Sequence, residues 1–163
     1  MAKSSFSELL LEKQKSYEEE AKNNKEIIDE WVQAIGRLFE QLRDWLALSD
    51  PTHILQVEER KAEVNEPNLG RYQAPRLDIR AFGTWVGIIP KARKTVGSAR
   101  PPRLGAPIHA TGRVDITDEI RRYVLYRFEG DNEDAWFIEG PSADAPEQLT
   151  QERFEEALMS YFQ

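Results

Sequence analysis

His109 stands in the string Pro107-Ile108-His109-Ala110-Thr111-Gly112-Arg113-Val114-Asp115, the part of the chain that comes nearest to a catalytic constellation. A histidine oriented by Asp115, with Ser98 or Thr111 as nucleophile and Arg113 holding an oxyanion, would fill the roles needed for acyl or phosphoryl transfer. The spacing is that of no established catalytic motif, however. A histidine beside the start of a strand is more often a hydrogen-bonded structural residue. A small hydrolase or transferase centred on His109 is therefore the weakest of three readings.

The stronger signal is charge. Residues 71–113 carry nine basic side chains and one acidic, whereas residues 1–70 carry nine and fifteen and residues 114–163 four and thirteen, within a net charge of −7. A basic island between acidic flanks either binds an anionic ligand or is neutralised within the fold. Its densest part is the loop expected over 91–107, where Lys91, Arg93, Lys94, Arg100 and Arg103 alternate with glycine and proline and no acid. Together with Arg113 these are the candidate binding residues. Gly97 and Gly105 bracket Arg100 and Arg103 and would let backbone amides and guanidinium groups approach phosphate, but the lysine and hydroxyl of a nucleotide-binding P-loop are missing. Tyr72, Phe82 and Trp85 lie among the basic residues and would stack bases if exposed, although the apolar neighbours of Trp85 argue for the core. Arginine is equally suited to an acidic protein surface.

Other chemistry is disfavoured. The chain has no cysteine, which removes disulfides, thiolate catalysis and thiolate-held metals, and two histidines are too few to expect a transition-metal site. Asp131-Asn132-Glu133-Asp134 lacks the spacing of a calcium loop and reads as a solvated turn. Arg121 and Arg122 read as ordinary surface charge, and His53 as a junction residue. No cofactor and no metal is expected. No apolar run approaches the length of a membrane span and nothing resembles a signal peptide, so the expected location is the cytoplasm with no membrane partner.

These residues need a frame, and the frame starts with one long amphipathic helix, Ser7 to Leu48, capped by Ser7 and stopped by Ser49-Asp50-Pro51. Leu10, Gln14, Tyr17, Ala21, Asn24, Ile28, Trp31, Ile35, Leu38, Leu42 and Trp45 recur at alternating steps of three and four, a heptad seam. Val32, Phe39 and Leu46 broaden that seam only in the later half. The helix thus changes role near Ile27, from a narrow strip suited to one partner helix to a face suited to a globular core. Leu10, Tyr17, Asn24, Ile28, Trp31, Ile35 and Leu38 are the residues expected at an oligomer interface, with residues 1–50 acting as the oligomerisation element.

Beyond Pro51 the period becomes alternating. Strands are expected around Ile54 to Val64, around Leu77 and Ile79 with one wet, charged face, and through Trp85 to Ile89 at the centre of the sheet. Further strands are expected at Val114 and Ile116, from Tyr123 to Phe128, and from Ala135 to Ile138 after a hairpin turn at Gly130-Asp131-Asn132, with a short Thr95-Val96 strand as an option within the basic loop. A linker over 140–146 leads to a short helix capped by Thr150, with Phe154, Ala157, Leu158, Tyr161 and Phe162 on one face. The expected fold is α+β: a coiled-coil-like N-terminal helix, an antiparallel sheet of about six strands and a C-terminal helix, residues 51–163 forming the α+β domain.

The function expected from these features is a non-catalytic, self-associating adaptor or scaffold protein: a homo-oligomer whose basic loop engages an acidic protein partner. The alternative is an accessory nucleic-acid-binding protein contacting phosphates through residues 71–113, including Arg76 and Arg80.

Overall fold

The computed structural model describes residues 4–93, 110–129, 134–142 and 145–163. The fold is α+β: helix α1 (Ser5–Ser49), strands β1 (Gln56–Glu66), β2 (Gly70–Ala81), β3 (Thr84–Ala92), β4 (Gly112–Thr117), β5 (Arg122–Glu129), β6 (Asp134–Glu139) and β7 (Glu147–Gln148), and helix α2 (Gln151–Phe162). The strands form one sheet in which each pairs antiparallel with its neighbour in sequence, from β1 to β7. The seventh strand, one more than expected, is a two-residue pairing of Glu147 and Gln148 with Ile138 and Phe137, just after the expected linker.

Helix α1 begins earlier than its pattern suggested. Ser4, in extended backbone, accepts the amide of Ser7 on its side chain at 3.2 Å, so Ser4 and not Ser7 is the cap. The helix is 45 residues long, about 68 Å at 1.5 Å per residue. At its far end the Asp50 amide closes on Leu46 O, and the Asp50 carboxylate accepts the amides of Ile54 and Leu55, both at 2.8 Å. Those backbone bonds hold the Asp50 carboxyl below its ordinary range. They also fix the reversal into β1, where His53 takes a left-handed φ of 55°.

Residues 4–23 are exposed throughout, and burial starts where Asn24 donates to Asn68 O at 3.2 Å, at the turn between β1 and β2. From there Trp31, Ala34, Ile35, Leu38, Phe39, Leu42 and Leu46 are buried in one core with Leu77, Ile79, Val86, Ile88, Val114, Ile116 and Leu125 from the sheet. Three of the residues expected at an oligomer interface, Trp31, Ile35 and Leu38, are therefore interior residues of the chain itself. Their apolar face is satisfied by the chain's own sheet. Helix α2 packs on the same core through Phe154, Ala157, Leu158 and Tyr161, with Phe154 against Trp45 at 6.0 Å between ring centres. Thr150 caps it by accepting the Arg153 amide. Tyr161 donates its hydroxyl to Ile116 O at 2.8 Å, and burial raises that phenol to about 12.

Candidate functional site

Three regions carry the residues singled out by the sequence. At the root of the basic loop, strand β3 is irregular where Pro90 interrupts the ladder, and the register with β4 shifts between Pro90 and Ala92. The Arg93 amide then donates to Glu66 Oε2 at 3.0 Å, while the Tyr72 hydroxyl donates to the same oxygen. Burial and the Glu66 carboxylate push the Tyr72 phenol well above its ordinary value. On the returning side, the Thr111 amide donates to Arg127 O at 2.7 Å. Both roots of the loop are thus tied down by hydrogen bonds to the body. Lys94, Arg100, Arg103, Ser98, His109 and the Thr95-Val96 segment lie outside the described residues. Lys91 is exposed and Arg93 half-buried.

Above that root lies an ion cluster the sequence reading missed. The Arg127 side chain is only 2% exposed and donates to Glu30 Oε2 at 2.9 Å and to Asp134 Oδ1 at 2.7 Å, while Arg37 adds a bond to Asp134 Oδ2 at 2.8 Å. The Arg127 guanidinium also stands 5.9 Å from the Trp31 ring centre, and Trp31 stacks on Trp136 at 6.1 Å. The Arg127 hydrogen bond holds Glu30 below the ordinary carboxylate range against the opposing effect of burial. For Asp134, burial pushes upward, but the bonds from Arg37 and Arg127 outweigh it and the carboxyl is again lowered. Asp134 is therefore not part of a solvated turn but the first residue of β6 and the pivot between helix and sheet. The signal was present in parity: Tyr123, Leu125 and Arg127 alternate, which aims Arg127 inward with the apolar residues. Glu66 was legible in the same way, two residues beyond Ala62 and Val64.

The sheet face turned away from the helices holds the rest of the basic island. Arg76 donates to Asp78 at 2.7 Å and lies over the Trp85 ring at 5.8 Å, and the Trp85 indole donates to the same Asp78 oxygen at 2.7 Å. Arg113 forks onto both oxygens of Asp115 at 2.8 and 3.2 Å. Asp78 and Asp115 are buried; on β2, where a wet, charged face was expected, Arg80 is exposed but Asp78 is not. Burial alone would raise Asp78, but Arg76 and Trp85 keep it low. Trp85 is half-buried on this face rather than a core residue; its ring lies over Gly87, where an added Cβ would sit 2.6 Å from the ring. Arg76 and Arg113 are thus neutralised within the fold, whereas Arg80 and Lys91 are exposed with no ion pair among the described residues.

For the catalytic reading, Arg113 and Asp115 are hydrogen-bonded to each other, and His109 and Ser98 lie outside the described residues. Among the described residues no group of three or more acidic or histidine side chains is placed to hold a metal. Among the described residues no helix is long and apolar enough to cross a membrane. Arg121 does more than decorate the surface: it donates to Ser160 O at 2.9 Å and lies over the Tyr161 ring, fastening α2.

The remaining region is the free half of α1. Phe6, Leu10 and Tyr17 are 67%, 52% and 74% exposed, and Leu9 and Leu11 are also open. Of the seam residues expected at an interface, Leu10 and Tyr17 are open to solvent, Asn24 and Ile28 are half-buried at the junction, and the other three are interior. Compared with known proteins, the chain matches no family model, no curated protein and no solved structure.

Proposed function

We propose that this protein is a non-catalytic, self-associating interaction module of the cytoplasm, in which the free half of α1 joins copies and the sheet body presents the basic loop to an acidic protein partner. The observation that carries this reading is the free half of α1 itself. It is a helix of about 28 Å from Ser5 to Asn24 whose large apolar side chains are exposed among the described residues. Its exposed apolar strip suits a partner helix. The body adds a platform: Glu66 accepts the Arg93 amide and Arg127 O accepts the Thr111 amide, so the residues on either side of the basic segment are fixed to the sheet.

The test is light scattering on the purified chain across a range of concentrations, beside a Leu10→Asp, Tyr17→Asp variant. The wild type is expected to be dimeric or larger and the variant monomeric with the sheet body still folded by circular dichroism, because both side chains lie outside the chain's own core. A wild type that stays monomeric at every concentration removes the self-association reading.

The nucleic-acid alternative rests on Arg80 and Lys91, exposed cations of the basic island 71–113 that have no ion pair among the described residues. It requires binding to DNA or RNA that weakens steeply with salt and drops in an Arg100→Ala, Arg103→Ala variant. Binding that is absent at low salt eliminates it.

A further inference from the structure

We infer that two copies of this chain pair through the free halves of α1 in antiparallel orientation, each helix ending against the other copy's sheet body near Asn24. The inference rests on the self-association proposed above and adds the direction and register of the pair.

Direction follows from helix geometry. Eighteen residues make five full turns, so residues eighteen apart point the same way. Tyr17 therefore shares its direction with Ile35, Leu10 with Ile28 and Leu46, and Phe6 with Asn24 and Leu42. Ile35, Leu42 and Leu46 all face the sheet. The exposed strip and the buried face lie on one side of α1, and a partner helix must approach from the side on which the chain's own sheet begins.

That placement excludes a parallel pair. A parallel partner running along Phe6, Leu10 and Tyr17 would continue past Asn24 into the volume held by the β1–β2 turn, where Asn24 bonds Asn68 O, and by the core beyond it. An antiparallel partner helix ends close to that point, at its own Ser4 cap, where the backbone leaves helical geometry. The register is then set by using the whole free length: Leu10 lies opposite the partner's Ala21, and Gln14 opposite the partner's Tyr17. Each layer sets a large side chain against a smaller or more flexible one, as knobs-into-holes packing requires. Flanking the seam, Lys13 faces the partner's Glu20, twice by symmetry, and Phe6 reaches the partner's Ile27, which is half-buried at the edge of its core.

Charge alone does not choose the direction, because a parallel pair would match Lys13 with the partner's Glu18 and Glu20 with the partner's Lys25. What it does support is the occupant: the strip complements a second copy of itself in either orientation. The sheet decides between the two.

The natural absence of cysteine makes the test direct. Leu10→Cys and Ala21→Cys variants are prepared singly, confirmed as dimers under reduction by light scattering, and oxidised alone and as a mixture. The expected result is that the mixture gives a 10-to-21 disulfide as the dominant crosslink, while each variant alone crosslinks poorly, since disulfides form only across short Cβ separations. Efficient crosslinking of each variant with itself means a parallel pair and overturns the orientation while leaving self-association intact. Dimers that give no mixed disulfide also overturn it. Wild-type protein that is monomeric by light scattering overturns the proposed self-association as well.

Discussion

The indole of Trp31 lies against the backbone of Gly112 so closely that a Cβ built on the glycine would sit 2.3 Å from the ring. The helix can approach β4 at this point only because residue 112 has no side chain. The approach brings Trp31 onto Trp136 and under Arg127 at the root of the basic loop. Gly112→Ala is expected to destabilise the fold by about 1–3 kcal/mol, in the upper part of that range because the obstructing ring is buried and cannot swing away. Denaturant unfolding monitored by tryptophan fluorescence measures it; a change below a few tenths of a kcal/mol would mean that the ring relaxes freely.

Arg127 neutralises two acids from two different elements. Arg127→Met keeps most of the volume but leaves Glu30 and Asp134 without their shared cation, and the expected loss is about 3 kcal/mol, the low end for breaking a buried pair. The low end applies because the Glu30 side chain is 45% exposed and can turn to water, and because Arg37 still reaches Asp134. Glu30→Gln in the same protein should cost clearly less, and equal losses in the two variants would contradict the asymmetry.

Acid should unfold the protein through the same groups. Glu30, Asp78 and Asp134 have folded values below their ordinary ones, so their contribution is fully present above the unfolded carboxylate range and is lost as pH falls through the lowered folded values. The melting temperature is expected to be flat near neutrality and to fall once pH drops below about 4, with a shallower fall in an Asp134→Asn variant.

At the alkaline limit the sign reverses for Tyr161. Its folded value, raised to about 12 by burial, exceeds the unfolded one near 10, so stability is complete below 10 and declines between the two. Tyr161→Phe should lose about 1 kcal/mol with the hydrogen bond to Ile116 O and should also flatten this alkaline decline. Melting curves of both proteins across that interval provide the check.

Much of the architecture could be read from local pattern. The heptad seam and its broadening after Ile27 located both the helix and its passage from an exposed to a buried half, and the alternation of Val114-Ile116, Tyr123-Leu125 and Trp136-Ile138 located central strands. Periodicity reports which side of an element is apolar, and that suffices for element type and order. It does not report what covers the apolar side. Trp31, Ile35 and Leu38 therefore read equally well as an interface between copies or as a core, and the position of the sheet assigned them to the core.

The sequence by itself determined the long helix, the antiparallel α+β succession, the cap at Thr150 and the separation of basic from acidic segments, because each depends on neighbours within a few residues. Only the tertiary structure decided which charges are spent inside the fold. Arg127 meets Glu30 across 97 positions, Arg93 donates its amide to Glu66 across 27, and Asn24 marks the emergence of the helix by bonding Asn68. Such pairings depend on strand register and on the close passage that Gly112 allows. They are set by how the elements meet, and no window of sequence contains both partners.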